Sequence, residues 1–513
     1  MTASIAFIFV TLPWLNPFSP GPTAAVWPFL FSWTCAALLL LAMAAANGQG
    51  NARLMVRAVA LAWLTATCMN ALIGLLQYFG ATAWAGQWIN HTGFGEAYGN
   101  LRQRNQFATL MNIGLASLLW WVAATPRYTS RSNGPFDRFN ASRLLPFLVG
   151  SLIGLGNAAS SSRTGLIQLI LIAALTWWWQ RQIGTNQSQH LRPVYRVLLM
   201  ALLVYAVALW ALPVLAGLDP FASGAWARLR SGDAACSSRL ALWGNVIYLI
   251  GQKPWLGWGW GELDYAHFIT LYPGVRFCDI LDNAHNLPLH LAVELGLLLA
   301  LLVCGLAAWL VWRAKPWGER DATRQLAWAV LAVIGLHSLL EYPLWYGPFQ
   351  MATLLSVWLL WRPSPGQHEP HVTKRFKPLT AYLCSGTASL IIATCAFTAW
   401  NYHLASQIYL PPASRMADYR DDTLAKINNV ALFQDQIRFA KLTTTDLDPQ
   451  NALEMHELAL EMLHFSPEAR VAELALDSGK LLGRKPQVNY LAARYQAAFP
   501  DAYAKWTATQ APK

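Results

Sequence analysis

Mostly apolar stretches recur along the first 400 residues, near 3–15, 25–47, 58–79, 105–124, 144–160, 164–180, 197–216, 286–312, 325–343, 347–361 and 379–400. A helix that crosses a bilayer needs about 20 such residues. The pattern therefore predicts an all-α polytopic membrane protein with about eleven transmembrane helices. The first stretch is short and reads as a span or a signal peptide; it lacks the basic start and small-residue cleavage site of the latter. After residue 400 the period changes. Asp448-Pro449, Ser466-Pro467 and Lys485-Pro486 recur every 18 to 19 residues, with amphipathic stretches at 452–463 and 470–482 between them. That spacing predicts stacked antiparallel helices, either tetratricopeptide-like or a generic small helical domain. The expected organisation is a membrane domain over 1–400, with a long outward loop at 217–285, and a helical domain over 401–513.

Charge sharpens this division. Residues 1–400 hold 13 of the 26 acidic residues and residues 401–513 the other 13. Charged residues are 12% of the chain and hydrophobic ones 55%, against about 25% charged in a soluble protein. A net charge of +11 in so apolar a chain points away from nucleic acid and toward the Lys/Arg-rich cytoplasmic loops of a membrane protein. The basic clusters lie at Arg53 and Arg57; at Arg127, Arg131, Arg138 and Arg143; at Arg181, Arg192 and Arg196; at Arg313, Lys315, Arg320 and Arg324; and at Arg362, Lys374, Arg375 and Lys377. They fall on alternate loops. The N-terminus is thus expected in the cytoplasm, and 80–104, 160–163, 217–285, 341–346 and the tail outside, which in a two-membrane bacterium is the periplasm.

The outward segments carry the candidate chemistry. Loop 217–285 holds Phe221, Trp226, Trp243, Tyr248, Trp255, Trp258, Trp260, Tyr265, Phe268 and Phe277. Such rings suit a membrane interface, or the walls of a lipid or sugar site. Asp282-Asn283-Ala284-His285-Asn286 stands at the mouth of a span. An imidazole there can serve as a general base near neutral pH, or be an ordinary interfacial His; His290 reads as structural. Arg104, Arg163 and Arg239 lie on the outer face, where the positive-inside rule does not call for them. Each needs an anionic partner, and a guanidinium fork suits a phosphate as well as a carboxylate. His337 and Glu341 share one face of span 325–343, and ionisable groups in a membrane are functional candidates; capping or an ion pair competes for Glu341. Cys236 and Cys278 are the two Cys expected on the oxidising side, where a bond between them would cinch the aromatic segment near His285. No CxxC or other metal spacing occurs among the seven Cys.

Taken in order, Gly99-Asn100-Leu101-Arg102-Gln103-Arg104-Asn105-Gln106, Ser161-Ser162-Arg163-Thr164-Gly165, Ser238-Arg239-Leu240-Ala241-Leu242-Trp243, Pro254-x-x-Gly257-x-Gly259, Asp282-Asn283-Ala284-His285-Asn286 and Glu341-Tyr342-Pro343-Leu344-Trp345-Tyr346 resemble the bacterial O-antigen ligase/polymerase superfamily. Within it the chain most resembles the protein O-oligosaccharyltransferases of the PglL/PilO type. The resemblance implies a GT-C-like glycosyltransferase of the bacterial inner membrane that needs no metal or other cofactor. The donor would be an oligosaccharide on undecaprenyl pyrophosphate and the acceptor a Ser or Thr of a pilin or other periplasmic protein. His285 would be the base, Arg163, Arg239 and Arg104 would hold pyrophosphate, and Gln103, Gln106, Asn283 and Glu341 would support them. An O-antigen ligase acting on lipid A core, or a polymerase, would share the donor. A transporter would need polar groups at mid-membrane depth and repeated halves, and no repeat is visible.

Overall fold

The computed structural model describes residues 2–45, 52–125, 141–182, 188–224, 230, 236–361 and 376–510. Trp226 and the basic residues Arg127, Arg131, Arg138, Arg362, Lys374 and Arg375 lie outside the described residues. The described residues are helical, with no strand among them. Contacts divide the chain into two units, one of Met1–Ser231 with Val311–Ala396, the other of Gly232–Leu310 with Phe397–Lys513.

The expectation of about eleven transmembrane helices is corrected. Six helices among the described residues are long and apolar enough to cross a membrane: Val26–Ala45, Arg53–Tyr78, Arg104–Ala124, Pro193–Leu215, Leu287–Gly318 and Thr380–Tyr409. They make this a multi-pass membrane protein. Apolar composition marks the other stretches, but length or polarity disqualifies them. Thr2–Leu15, Ala322–Ser338 and Gly347–Trp361 have 14, 17 and 15 residues. At 1.5 Å per residue they rise about 21–26 Å, short of a ~30 Å hydrocarbon layer. Leu144–Ala159 is likewise short, and Arg163–Arg181 carries Gln168, Gln180 and a cation at each end.

In the first unit, α1 (Thr2–Leu15) packs on α2 (Val26–Ala45) and on α3 (Ala52–Tyr78), and α3 packs on α4 (Arg104–Ala124). Next come α5 (Ala141–Ala159), α6 (Arg163–Arg181) and α7 (Ser188–Leu215), and further along α11 (Ala322–Ser338) and α12 (Gly347–Trp361). Helix α4 is the hub, touching α3, α5, α6, α7 and α11, and most of its residues are buried. Small residues permit the crowding: a Cβ on Gly114 would overlap the Thr67 side chain.

In the second unit, α8 (Arg239–Gln252) and α9 (Leu263–Ile269) precede α10 (Leu287–Ala314). Helix α10 breaks at Gly296, whose φ of 84° and ψ of 163° are not helical. The loop before α9 fills the break. Trp258 N and Gly259 N donate to the Val293 and Glu294 carbonyls at 2.8 and 3.0 Å, and Leu297 N donates to Pro254 O at 2.8 Å. Backbones this close leave no room for side chains, since a Cβ on Gly296 would overlap the Trp255 carbonyl and one on Gly257 the Glu294 carbonyl. The long α13 (Phe376–Ser406), whose residues up to Ala396 belong to the first unit, and the short α14 (Thr423–Ile427) lead into the tail. There α15 (Gln434–Thr444), α16 (Ala452–Phe465), α17 (Ala469–Leu481), α18 (Lys485–Ala498) and α19 (Pro500–Gln510) each pack on the next. Their shared core includes Met455, Met462, Leu476, Tyr495 and, from α9, Phe268 at 2% exposure.

Candidate functional site

The residues singled out in sequence fall on both units. Gln103, Arg104, Gln106, Arg163 and Glu341 belong to the first; Arg239, Asn283, His285 and the two cysteines belong to the second.

In the first unit, polar side chains on α4 recur at Asn105, Thr109 and Asn112, one face of a helix by spacing. They meet Ser162, Gly165 and Gln168 of the α6 start and His337 and Glu341 at the α11 end. Asn105 Nδ2 donates to Glu341 Oε1 at 3.1 Å, and Gln103 Nε2 reaches Glu341 Oε2 at 3.3 Å. Ser162 Oγ donates to Asn105 Oδ1 at 2.6 Å and accepts from Gly165 N at 2.9 Å, capping α6. Deeper, Thr109 Oγ1 lies 2.9 Å from His337 Nδ1, and Gln168 Nε2 donates to it at 2.9 Å. Asn112 Nδ2 donates to the Gly165 carbonyl at 3.1 Å. This buried ladder brings Gln103 and Glu341 together beside the turn that carries Arg163. It does not include Arg104, which pairs with Glu96 at 2.9 Å and donates to Tyr98 Oη at 2.8 Å. Gln106 is buried, and its Nε2 has no protein partner among the described residues. Asn105 enters the sequence analysis only inside a quoted motif, without a role, and Thr109, Asn112 and Gln168 do not enter it. Their signal was polar residues at helical spacing inside an apolar stretch.

In the second unit, Cys236 and Cys278 are joined by a disulfide with Cα atoms 5.3 Å apart. Asn245 on α8 holds the adjoining strip by accepting from Phe277 N at 2.8 Å and donating to Val275 O at 2.9 Å. His267 lies 3.1 Å from Phe277 O through Nε2 and 2.8 Å from Tyr272 Oη through Nδ1. Burial and, after it, the Arg276 charge push its pKa down to about 3. The imidazole is therefore neutral, with Nε2–H donating to the carbonyl and Nδ1 accepting from the phenol. Burial pushes Asp264 up to about 7, assisted by the charges of Asp282 and Glu262.

His285 stands two residues before α10 with φ of 50°. Left-handed backbone costs a non-glycine residue about 1–2 kcal/mol. Asn283 supports the turn by accepting from His285 N at 2.9 Å, and Trp243 Nε1 donates to Ala284 O at 3.1 Å. Asn286 caps α10 by accepting from Leu289 N at 3.1 Å. Ser238 caps α8 the same way, accepting from Ala241 N at 3.2 Å, so Arg239 opens α8 as Arg163 opens α6. Of the aromatic residues, Trp255 and Trp260 are exposed, whereas Phe268 and Phe277 are buried. Tyr265 stacks on His464 with centroids 3.5 Å apart, and His464 reaches Glu262 at 2.6 Å.

Comparison with known proteins adds three family matches in chain order. Residues 97–122 match a family described as a protein glycosylation ligase, 148–304 one described as O-antigen ligase, and 325–513 one described as the C-terminal part of a virulence factor membrane-bound polymerase. Two proteins of Acinetobacter baylyi are similar. A general O-oligosaccharyltransferase is 25% identical over 286 residues, covering 53% of this chain and 44% of the relative. A ComP-specific O-oligosaccharyltransferase is 26% identical over 259 residues, covering 50% and 42%. The similarity thus spans less than half the length of either relative.

Proposed function

We propose that this chain, similar to O-antigen ligases and O-oligosaccharyltransferases, transfers an oligosaccharide from undecaprenyl pyrophosphate to a Ser or Thr hydroxyl of a periplasmic or pilin protein. The hydroxyl oxygen attacks the anomeric carbon as the bond to the pyrophosphate oxygen breaks. His285 takes the hydroxyl proton, and the pyrophosphate leaves with the bonding pair. A hydroxyl is a weak nucleophile until a base removes its proton during attack, and guanidinium groups stabilise the charge that develops on the leaving group. Direct displacement inverts the anomeric centre.

The observation that carries this reading is a shared placement. Arg163, Arg239 and His285 each stand at or just before a helix N-terminus whose first turn is closed by the side chain of Ser162, Ser238 or Asn286. Helix N-termini favour anions, and Arg adds a two-pronged donor. We assign pyrophosphate to Arg163 and Arg239. Arg104 is a third candidate for the same anion, held by Glu96 and Tyr98. Asn283 shapes the His285 turn, while Gln103 and Glu341 shape the turn before Arg163. The active groups and the tail are assigned to the periplasmic side.

The test is a glycosylation assay in cells lacking their own ligase, given a lipid-linked glycan and a pilin-like acceptor, with His285→Ala at matched membrane levels. Glycan on Ser or Thr with the wild type alone is the expected result. Equal transfer by His285→Ala would remove His285 as the base. The match of 148–304 to O-antigen ligase favours a second acceptor, lipid A core, and glycan appearing there would move the protein to that branch.

A further inference from the structure

One side chain joins three elements of the first unit. We infer that Asn105 is the positioning residue for Arg163, fixing the turn that presents this guanidinium to the donor's pyrophosphate. The inference rests on the assignment of Arg163 to pyrophosphate made above.

The hydrogen-bond inventory leaves the amide of Asn105 one orientation. Its Nδ2 donates to a carboxylate oxygen of Glu341 at 3.1 Å, so Oδ1 faces Ser162 and accepts from its hydroxyl at 2.6 Å. Ser162 Oγ accepts from Gly165 N at 2.9 Å, so its single proton is committed to Asn105. A carboxylate at position 105 could only accept and an apolar residue could do neither. Glu341 is anchored on the far side, its N–H donating to His337 O at 2.8 Å while Gln103 reaches its second oxygen at 3.3 Å.

The turn before Arg163 depends on this bridge. Ser161 has φ of 51°, a strained conformation for a residue with a Cβ, which persists when its surroundings hold it. Ser162 N donates to Ser160 Oγ at 3.1 Å, and Asn105 and Ser162 complete the clamp. Arg163 follows Ser162 directly. A turn released at Ser162 displaces the guanidinium, and a misplaced two-pronged donor loses much of its grip on phosphate.

The experiment measures steady-state transfer by the purified full chain in lipid nanodiscs, varying the undecaprenyl-pyrophosphate-linked oligosaccharide at saturating acceptor. Asn105→Asp keeps the shape but sets two carboxylates against each other. It is expected to raise the KM for donor about tenfold, the equivalent of one lost charge-assisted hydrogen bond, and to lower kcat as well, because the same guanidinium stabilises the leaving group. Asn105→Asp with Glu341→Gln restores a donor–acceptor pair with the roles exchanged, and the donor KM is expected to return to within about threefold of wild type. An unchanged donor KM in Asn105→Asp, or a double variant no better than the single, overturns the proposal. If Asn105→Asp does not accumulate in the membrane, Ser162→Ala reads the same link, and a wild-type donor KM there overturns it equally. Arg163→Ala separates the two layers. A wild-type donor KM in Arg163→Ala refutes the pyrophosphate assignment itself, whereas a raised KM there with an unchanged one in Asn105→Asp refutes only the role of Asn105.

Discussion

At the scale of single residues, the candidate chemistry rests on side chains that fix backbone turns. Asn283 holds the His285 N–H much as Ser162 and Ser238 hold α6 and α8. Removal of such a contact costs about 0.5–2 kcal/mol. Asn283→Ala should therefore lower transfer several-fold or more at unchanged membrane level, measured by acceptor glycosylation against wild type. Titration offers a second test. Asp264, raised from its ordinary 3.8 to about 7, contributes stability that is full below 3.8 and lost as pH rises through 7. His267, lowered from 6.5 to about 3, contributes stability that is full above 6.5 and lost as pH falls toward 3. The two slopes oppose each other between these limits. Asp264→Asn should raise the melting temperature at pH 8 more than at pH 5, leaving only the loss on the acid side; an equal gain at both values would refute the burial of an ionising Asp264. At this scale the sequence announced His285, Arg163 and Arg239 because charge stands out in an apolar context. It assigned Asn105 no role beyond its place in a motif and left Thr109 and Asn112 unmarked, because their polarity is modest and their meaning appears only when α6 and the end of α11 supply partners.

At the scale of elements, apolar pattern located helices better than it located membrane spans. The stretch 58–79 became part of α3 and 286–312 part of α10, each long enough to cross. The stretch 347–361 became α12, equally apolar but only 15 residues long. Hydropathy counts residues, whereas a bilayer measures length. The tail was legible to within a few residues at 452–463 and 470–482, because Pro at helix starts and an amphipathic period are local signals. The insertion of Phe268 among the tail helices was not legible, since nothing local separates a ring bound for a core from one bound for an interface. Phe268→Ala should destabilise the second unit by about 3–5 kcal/mol, read as earlier melting and faster proteolysis of the tail. At the break in α10, Gly296→Ala should abolish accumulation of folded protein. It sets a Cβ against the Trp255 carbonyl and forbids the positive φ.

At the scale of the whole molecule, the two units interleave along the chain. Residues 232–310 pack with 397–513, and 311–396 return to the first unit. A linear reading places a boundary where composition changes, near 400, whereas contacts divide the chain twice more. Deletion of 397–513 is consequently not a clean removal of an accessory domain. It strips α9 of the core that buries Phe268 and should leave 236–285 sensitive to protease, with transfer lost toward protein and lipid acceptors alike. A truncated chain that resists protease there would refute the shared core.

Helix α9 has only seven residues, yet it serves two masters. Its Phe268 belongs to the tail core, while Leu263 and Ala266 belong to the core formed with Leu281, Ala284 and Val293, directly under the His285 turn. A molecule that binds the tail and changes how firmly α9 is held is therefore expected to shift the free energy of the His285 turn. Thermodynamic reciprocity then requires that occupation of that turn change the tail's affinity by the same factor. The coupling would be measurable as a shift in either binding curve when the other ligand is present.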